Sequence, residues 1–326
     1  MGSELGSLVA LRLEALPWVA AVVGIDRDPP RRRLHRAEFH MIDPADEDRT
    51  LRIVTDFDPE IIVHLGIWEP NARADPRTAE RNSAAAAAAV FGHLASMPSL
   101  RHVIVRSGIE VYGRGRRRPS MPDEASPLAP TSTFGRILQH TEDAAAQATR
   151  AAAIPLGIVR LAPVVGPHLP SPLGRLLRLP VVPVHVLHDP AFSVVDLSDA
   201  ADALVAAAHN GLAEPVNVVG AGTITPWAAA RIGGRVPLPI IGPLWSGVRA
   251  VTAVIGAPVP DHVTELLRYG RTADGRRATE LLGSAPDRST ADAIRKLYEW
   301  PSVTHRRASP AAGTSGPPTP LAPARR

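Results

Sequence analysis

Residues 101–113 read Arg-His-Val-Ile-Val-Arg-Ser-Gly-Ile-Glu-Val-Tyr-Gly. The short apolar run at 101–106 predicts a buried strand that opens into a loop at Ser107. The same pattern recurs on both sides. Upstream lie an alanine-rich helix at 74–96 and a strand at 61–65 (Ile-Ile-Val-His-Leu). Downstream lie a helix at 134–152 and a strand at 156–161 (Leu-Gly-Ile-Val-Arg-Leu). Further upstream the spacing predicts a helix at 45–56, a strand at 38–42, a Pro/Arg loop at 29–36, a strand at 19–24 running into Ile25-Asp26, and a helix at 5–16. Strands alternating with helices specify a parallel sheet covered on both faces, so the expected fold is α/β, a Rossmann-type doubly wound sheet.

After residue 167 this alternation loosens. Proline-rich stretches alternate with helical segments at 197–210, 225–232, 262–267 and 276–283. The expected organisation is a dinucleotide-binding domain at 1–167, a smaller substrate lobe at 168–300 with segments returning to the sheet, and a tail at 301–326. That tail has almost no large apolar side chains and is expected to be disordered.

Composition narrows the function classes. The 326 residues contain no cysteine, which removes disulfides and thiolate metal sites and fits a reducing compartment. No basic region followed by an apolar run opens the sequence, so a cytoplasmic location is expected. No apolar run reaches the roughly 18–20 residues that span a bilayer. The nearest, 236–260, is broken by prolines and Arg249 and reads as buried or interfacial. The net charge of +4 comes from scattered arginines, and aromatics make up only 4% of residues, so no nucleic-acid platform is expected. The histidines show no ligand spacing, no GxSxG elbow is present, and no metal is expected.

The first residues, Met-Gly-Ser-Glu-Leu-Gly, lead directly into the 5–16 helix. A dinucleotide site is built from a strand, a glycine loop and a helix. Here the helix and part of the loop are present, with Ser3, Leu5 and Gly6 at its start. The expectation is that the sequence as given begins inside that loop and lacks the first strand. Asp26 ends the following strand about 20 residues on, where an acid binds the adenosine ribose hydroxyls and favours NAD; its neighbour Arg27 suits a 2′-phosphate and leaves NADP open.

Further segments occur in a set order. They are His64-Leu65-Gly66, Asn82 at the head of the alanine run, Ser107 to Gly113, Asp123 to Pro127, 156–167, 192–202, Val216 to Gly220, and Tyr269-Gly270-Arg271 with Glu280 to Gly283. Together they resemble the NAD-dependent epimerase/dehydratase family of extended short-chain dehydrogenases over about residues 2–300. The resemblance implies a bound NAD or NADP and a nucleotide-sugar substrate. It places Asp43 against the adenine amine, although Asp43 also suits a helix cap. It places Leu65 and Gly66 under the pyrophosphate and gives Asn82 a cofactor role. Arg160 and Arg271 are candidate diphosphate partners, and a homodimer through two helices is implied.

The chemistry departs from the family. Its tyrosine abstracts a proton and a lysine four residues on lowers the tyrosine pKa. Phe134 and Leu138 stand at those positions, and Gly108 stands where a Ser or Thr would bind the substrate oxygen. The chain holds three tyrosines and one lysine, Lys296, and no tyrosine has lysine four residues later. The remaining candidate catalytic groups are Ser107 and Glu110. Tyr112 and His140 read as packing and solvent-facing residues. The expected function is an NAD(P)-binding, atypical oxidoreductase or epimerase; the alternative is a non-catalytic binder of a dinucleotide or nucleotide sugar.

Overall fold

The computed structural model describes residues 1–43, 46–71, 74–114, 119–185, 189–240 and 259–299. The expected tail at 301–326, His188 and most of the apolar 236–260 run lie outside these residues.

The first helix, α1 (Glu4–Leu13), begins where the Ser3 hydroxyl accepts the N–H of Gly6. Then come β1 (Val23–Asp26), β2 (Glu38–Met41), α2 (Glu47–Phe57), β3 (Ile61–His64), α3 (Pro76–Phe91), β4 (His102–Gly108), α4 (Thr133–Ala152), β5 (Leu156–Leu161) and β6 (Val164–Val165). The C-terminal part adds α5 (Pro172–Leu177), β7 (Val181–His185), β8 (Val195–Asp196), α6 (Leu197–Asn210), β9 (Pro215–Val218), α7 (Pro226–Ile232), β10 (Val236–Ile240), α8 (Asp261–Tyr269), α9 (Arg277–Leu282) and α10 (Thr290–Tyr298).

Four strands form a parallel sheet in the order β3-β4-β5-β9. A second parallel pair, β1-β2, shares no ladder with it among the described residues. Successive residues of β4 point to opposite faces. Ile104 packs with Leu5 and Val9 of α1 and with Leu204 and Ala207 of α6. Val103 and Val105 pack with Ala87 and Phe91 of α3 and Ala145 of α4. Both faces are covered, which is why the strand reads as an unbroken apolar run. A separate cluster around Phe192, Leu176, Leu267 and Leu297 holds the C-terminal lobe.

Two boundaries differ from the sequence expectation for local reasons. The strand expected at 19–24 starts at Val23, because the Val19 N–H closes a turn on the Leu16 carbonyl. The helix expected to reach 96 ends at Phe91, and Leu94–Ser96 form a separate 3₁₀ turn. In the region with weak periodicity, β7 and β10 pair in parallel, Val236 opposite Val181. Pro183, Pro237 and Pro239 lie in these strands, where each removes a ladder donor, so their composition argues against the element they form.

Candidate functional site

The cofactor-side residues gather at one end of the strands. Asp26 closes β1, and its carboxylate accepts hydrogen bonds from the Gly2 N–H at 2.7 Å and the Met1 ammonium at 2.9 Å. Burial raises the Asp26 pKa, and these two donors outweigh it, so the group lies below the usual aspartate value. Asp26 therefore sits ionised beside the first turn of α1. Leu5 and Gly6 are buried in that turn, where the helix dipole favours an anion. Arg27 is exposed next to Asp26, and Asp43 is exposed just beyond β2.

Leu65 and Gly66 follow β3 in a tight turn, with the Ile67 N–H on the Leu65 carbonyl at 2.8 Å. A Cβ on Gly66 would stand 3.0 Å from the Ala86 methyl and 3.1 Å from the His64 ring, so these side chains crowd position 66. Two buried polar atoms at this end lack partners, His64 Nε2 and Asn82 Nδ2. Burial lowers the His64 pKa to about 4, so it is neutral. The ionised Asp26, a helix N-terminus, the crowded Gly66 and an Asn82 amide nitrogen with no partner among the described residues are compatible with the adenosine and pyrophosphate half of a dinucleotide.

The other half differs. Phe134 and Leu138 lie on consecutive turns of α4 and are buried, at 3% and 0% exposure. A Cβ at Gly108 would stand 3.1 Å from Leu138 and 2.5 Å from the Glu110 carboxylate. Gly108 and Leu138 thus meet, with Phe134 one turn earlier on α4, and neither α4 side chain carries an ionisable group. Ser107 is fully buried and donates to Glu142 Oε1 at 2.5 Å. Glu142 also grips Arg160 in a two-point ion pair at 3.0 and 2.7 Å. Arg160 then reaches the Tyr112 hydroxyl, which donates to Asn217. Burial lowers the Arg160 pKa, but the Glu142 hydrogen bond outweighs it and leaves the group above the usual arginine value. Burial likewise raises that of Tyr112. This chain of buried bonds ties β4, α4, β5 and β9 together and occupies Ser107 and Arg160 internally.

Glu110 pairs with Arg271 at 3.2 Å, and Glu265 holds the other side of Arg271 at 3.0 Å. Arg271 is 1% exposed. Beside them the His262 ring packs on Phe134, centroids 5.0 Å apart, and His262 Nε2 meets Glu69 at 2.9 Å. Burial lowers the His262 pKa, yet hydrogen bonds to Asp261 and Glu69 raise it to about 9. The Arg106 guanidinium also lies over the Phe134 ring, 5.7 Å from its centroid. Sequence reading singled out Glu110 and Arg271 but passed over Arg106, His262, Glu69 and Glu142. The charged Arg106 inside an apolar strand was the available signal; the others come from distant segments. Among the described residues no cluster fit to hold a metal ion occurs, and no helix is long and apolar enough to cross a membrane.

Comparison with known proteins agrees with this frame. The chain is 29% identical over 316 residues, 92% of its length and 82% of the relative's, to an uncharacterised protein of Mycobacterium tuberculosis. Its fold is similar to UDP-glucose 4-epimerase of Thermotoga maritima, with TM-score 0.71, 19% identity and coverage of 92% of this chain and 96% of that one. It is also similar to UDP-glucuronic acid 4-epimerase of Bacillus cereus solved with NAD, with TM-score 0.69, 18% identity and coverage of 92% and 95%. A family model described as the NAD dependent epimerase/dehydratase family matches residues 4–220, and the chain belongs to that family.

Proposed function

We propose that this protein binds NAD and a nucleotide sugar without performing the tyrosine-dependent proton abstraction of its relatives. The observation that carries this reading is that Leu138 of α4 packs against Gly108 at the carboxyl end of β4 with Phe134 one turn earlier, none of the three carrying an ionisable side chain. A hydrocarbon ring cannot take or give a proton, and a buried leucine cannot supply charge to a neighbouring phenol. Asp26, Leu5, Gly6, Gly66 and Asn82, with Ser3 as helix cap, would hold the adenosine and pyrophosphate. When bound, NAD would supply a hydride acceptor. The ribose acid favours NAD over NADP, for which Arg27 is the available partner. In this reading residues 1–167 carry the cofactor and 168–300 the sugar, the protein is cytoplasmic, and it forms a homodimer.

The dimer reading is supported by a groove of about 540 Å³ between α3 and α4, lined by Ala84, Ala88, Ala144, Ala148 and Ala151. Small side chains let a second pair of helices approach closely.

A second reading keeps catalysis. In it Glu110, whose carboxylate fills the space beside Gly108, acts as the base and Ser107 orients the substrate. Thermal melting with NAD, NADP and UDP-sugars, followed by a turnover assay, separates the two. Stabilisation by NAD without turnover supports the binder. Turnover lost in Glu110→Gln supports the atypical enzyme. No stabilisation by any dinucleotide overturns both.

A further inference from the structure

The C-terminal lobe turns apolar side chains outward at the β7–β10 ladder. Val236 is registered with Val181, and side chains alternate along a strand, so Val181, Val236 and Leu238 share one side of that ladder. They are 44%, 61% and 46% exposed. α7 packs against β10 and adds the exposed Trp227 and Ile232, with Arg231 exposed beside Ile232. The stretches of chain that run through this face, 171–185 and 220–240, hold four arginines and no aspartate or glutamate. Acids make up 32 of the 326 residues, so stretches of this combined length would ordinarily carry several. The sequence beyond β10 stays free of acids up to Asp261. Asp189, the next acid after β7, accepts the Trp227 backbone N–H. The face therefore combines apolar area with positive charge and suits a negatively charged partner.

Its backbone narrows the choice. The Val236 N–H donates to the Pro180 carbonyl on the β7 side. N–H groups alternate sides along a strand, so positions 237 and 239 face the free edge of β10, and both are proline. They remove the donors that a ladder on that edge would need. A strand from a second copy or a peptide finds no N–H partner at these positions. An edge without donors also loses less on leaving water.

We propose that this face docks the protein peripherally on the surface of an anionic bilayer. Val236, Leu238 and Trp227 enter the boundary between headgroups and acyl chains, and Arg231 meets lipid phosphate.

The test is co-sedimentation of the full-length protein with vesicles of phosphatidylcholine, alone or mixed with phosphatidylglycerol. The mixed vesicles should bind it at least about tenfold more tightly, and added salt should weaken that binding. Val236→Ser combined with Leu238→Ser should weaken it at least about tenfold at an unchanged melting temperature, because both side chains are exposed. Arg231→Ala should weaken it about fivefold. Failure to bind the mixed vesicles overturns the inference, and so does an affinity unchanged in Arg231→Ala. Full binding by the double serine variant also overturns it, by assigning the attraction to arginines elsewhere, such as Arg306, Arg307, Arg325 and Arg326. A dimer that the double serine variant dissociates without lipid would give the face to a second copy and overturn it as well.

Discussion

At the scale of single residues, the proposed function turns on Phe134 and Leu138. Both are buried in the core shared by β4 and α4, so restoring the family residues is not a neutral exchange. Leu138→Lys would bury an ammonium at a position with 0% exposure and should cost about 3 kcal/mol or more of stability. Phe134→Tyr places only a hydroxyl near His262 and should be tolerated far better. Chemical denaturation of the two variants checks the order; equal stability would mean that position 138 opens to solvent.

His262 gives a pH signature. Its folded-state pKa of about 9 exceeds the ordinary 6.5, so protonation stabilises the fold. That contribution is complete below about pH 6.5 and disappears as pH rises through about 9. The facing groups are Glu69, Asp261 and Glu110, with Arg106 also over the Phe134 ring. Stability should fall by about 2–3 kcal/mol over this window, and His262→Gln should flatten that fall. A parent curve that does not decline there would place His262 in contact with water.

At the scale of elements, much was legible and the failures have causes. The strands at 61–65, 101–106 and 156–161 were readable because both faces of the sheet are covered, which leaves an unbroken apolar signature. The β7-β10 pair was not, because residues 181–185 and 236–240 are interrupted by proline and meet across about 50 residues of chain. Asp26 closes β1 and Gly66 follows β3, so both were recognisable from strand ends, whereas Asn82 lies within α3. The polar chain Ser107–Glu142–Arg160–Tyr112–Asn217 joins four elements, and no local spacing announces it. The exposed alanine face of α3 and α4 carries its own test. Ala88→Arg combined with Ala148→Glu should convert a dimer to a monomer by sedimentation velocity, with little change in secondary structure; an unchanged dimer would move the interface elsewhere.

For the whole molecule, the proposed reading gives the sheet one end that receives the dinucleotide and another where hydrocarbon and internally paired charge stand. Arg160 and Arg271, read from sequence as diphosphate partners, are each held by carboxylates inside the protein. Glu142 lies 18 residues from Arg160, and Arg271 is held by Glu265 six residues away and by Glu110 from a distant segment, so only part of this pairing was open to local reading. The proposed function separates binding from chemistry in this family member. Isothermal titration of the protein with NAD tests that most directly. Saturable binding at one NAD per chain, weakened at least about tenfold by Asp26→Ala, is the expected result. Absence of heat with NAD, or binding indifferent to Asp26→Ala, would contradict it.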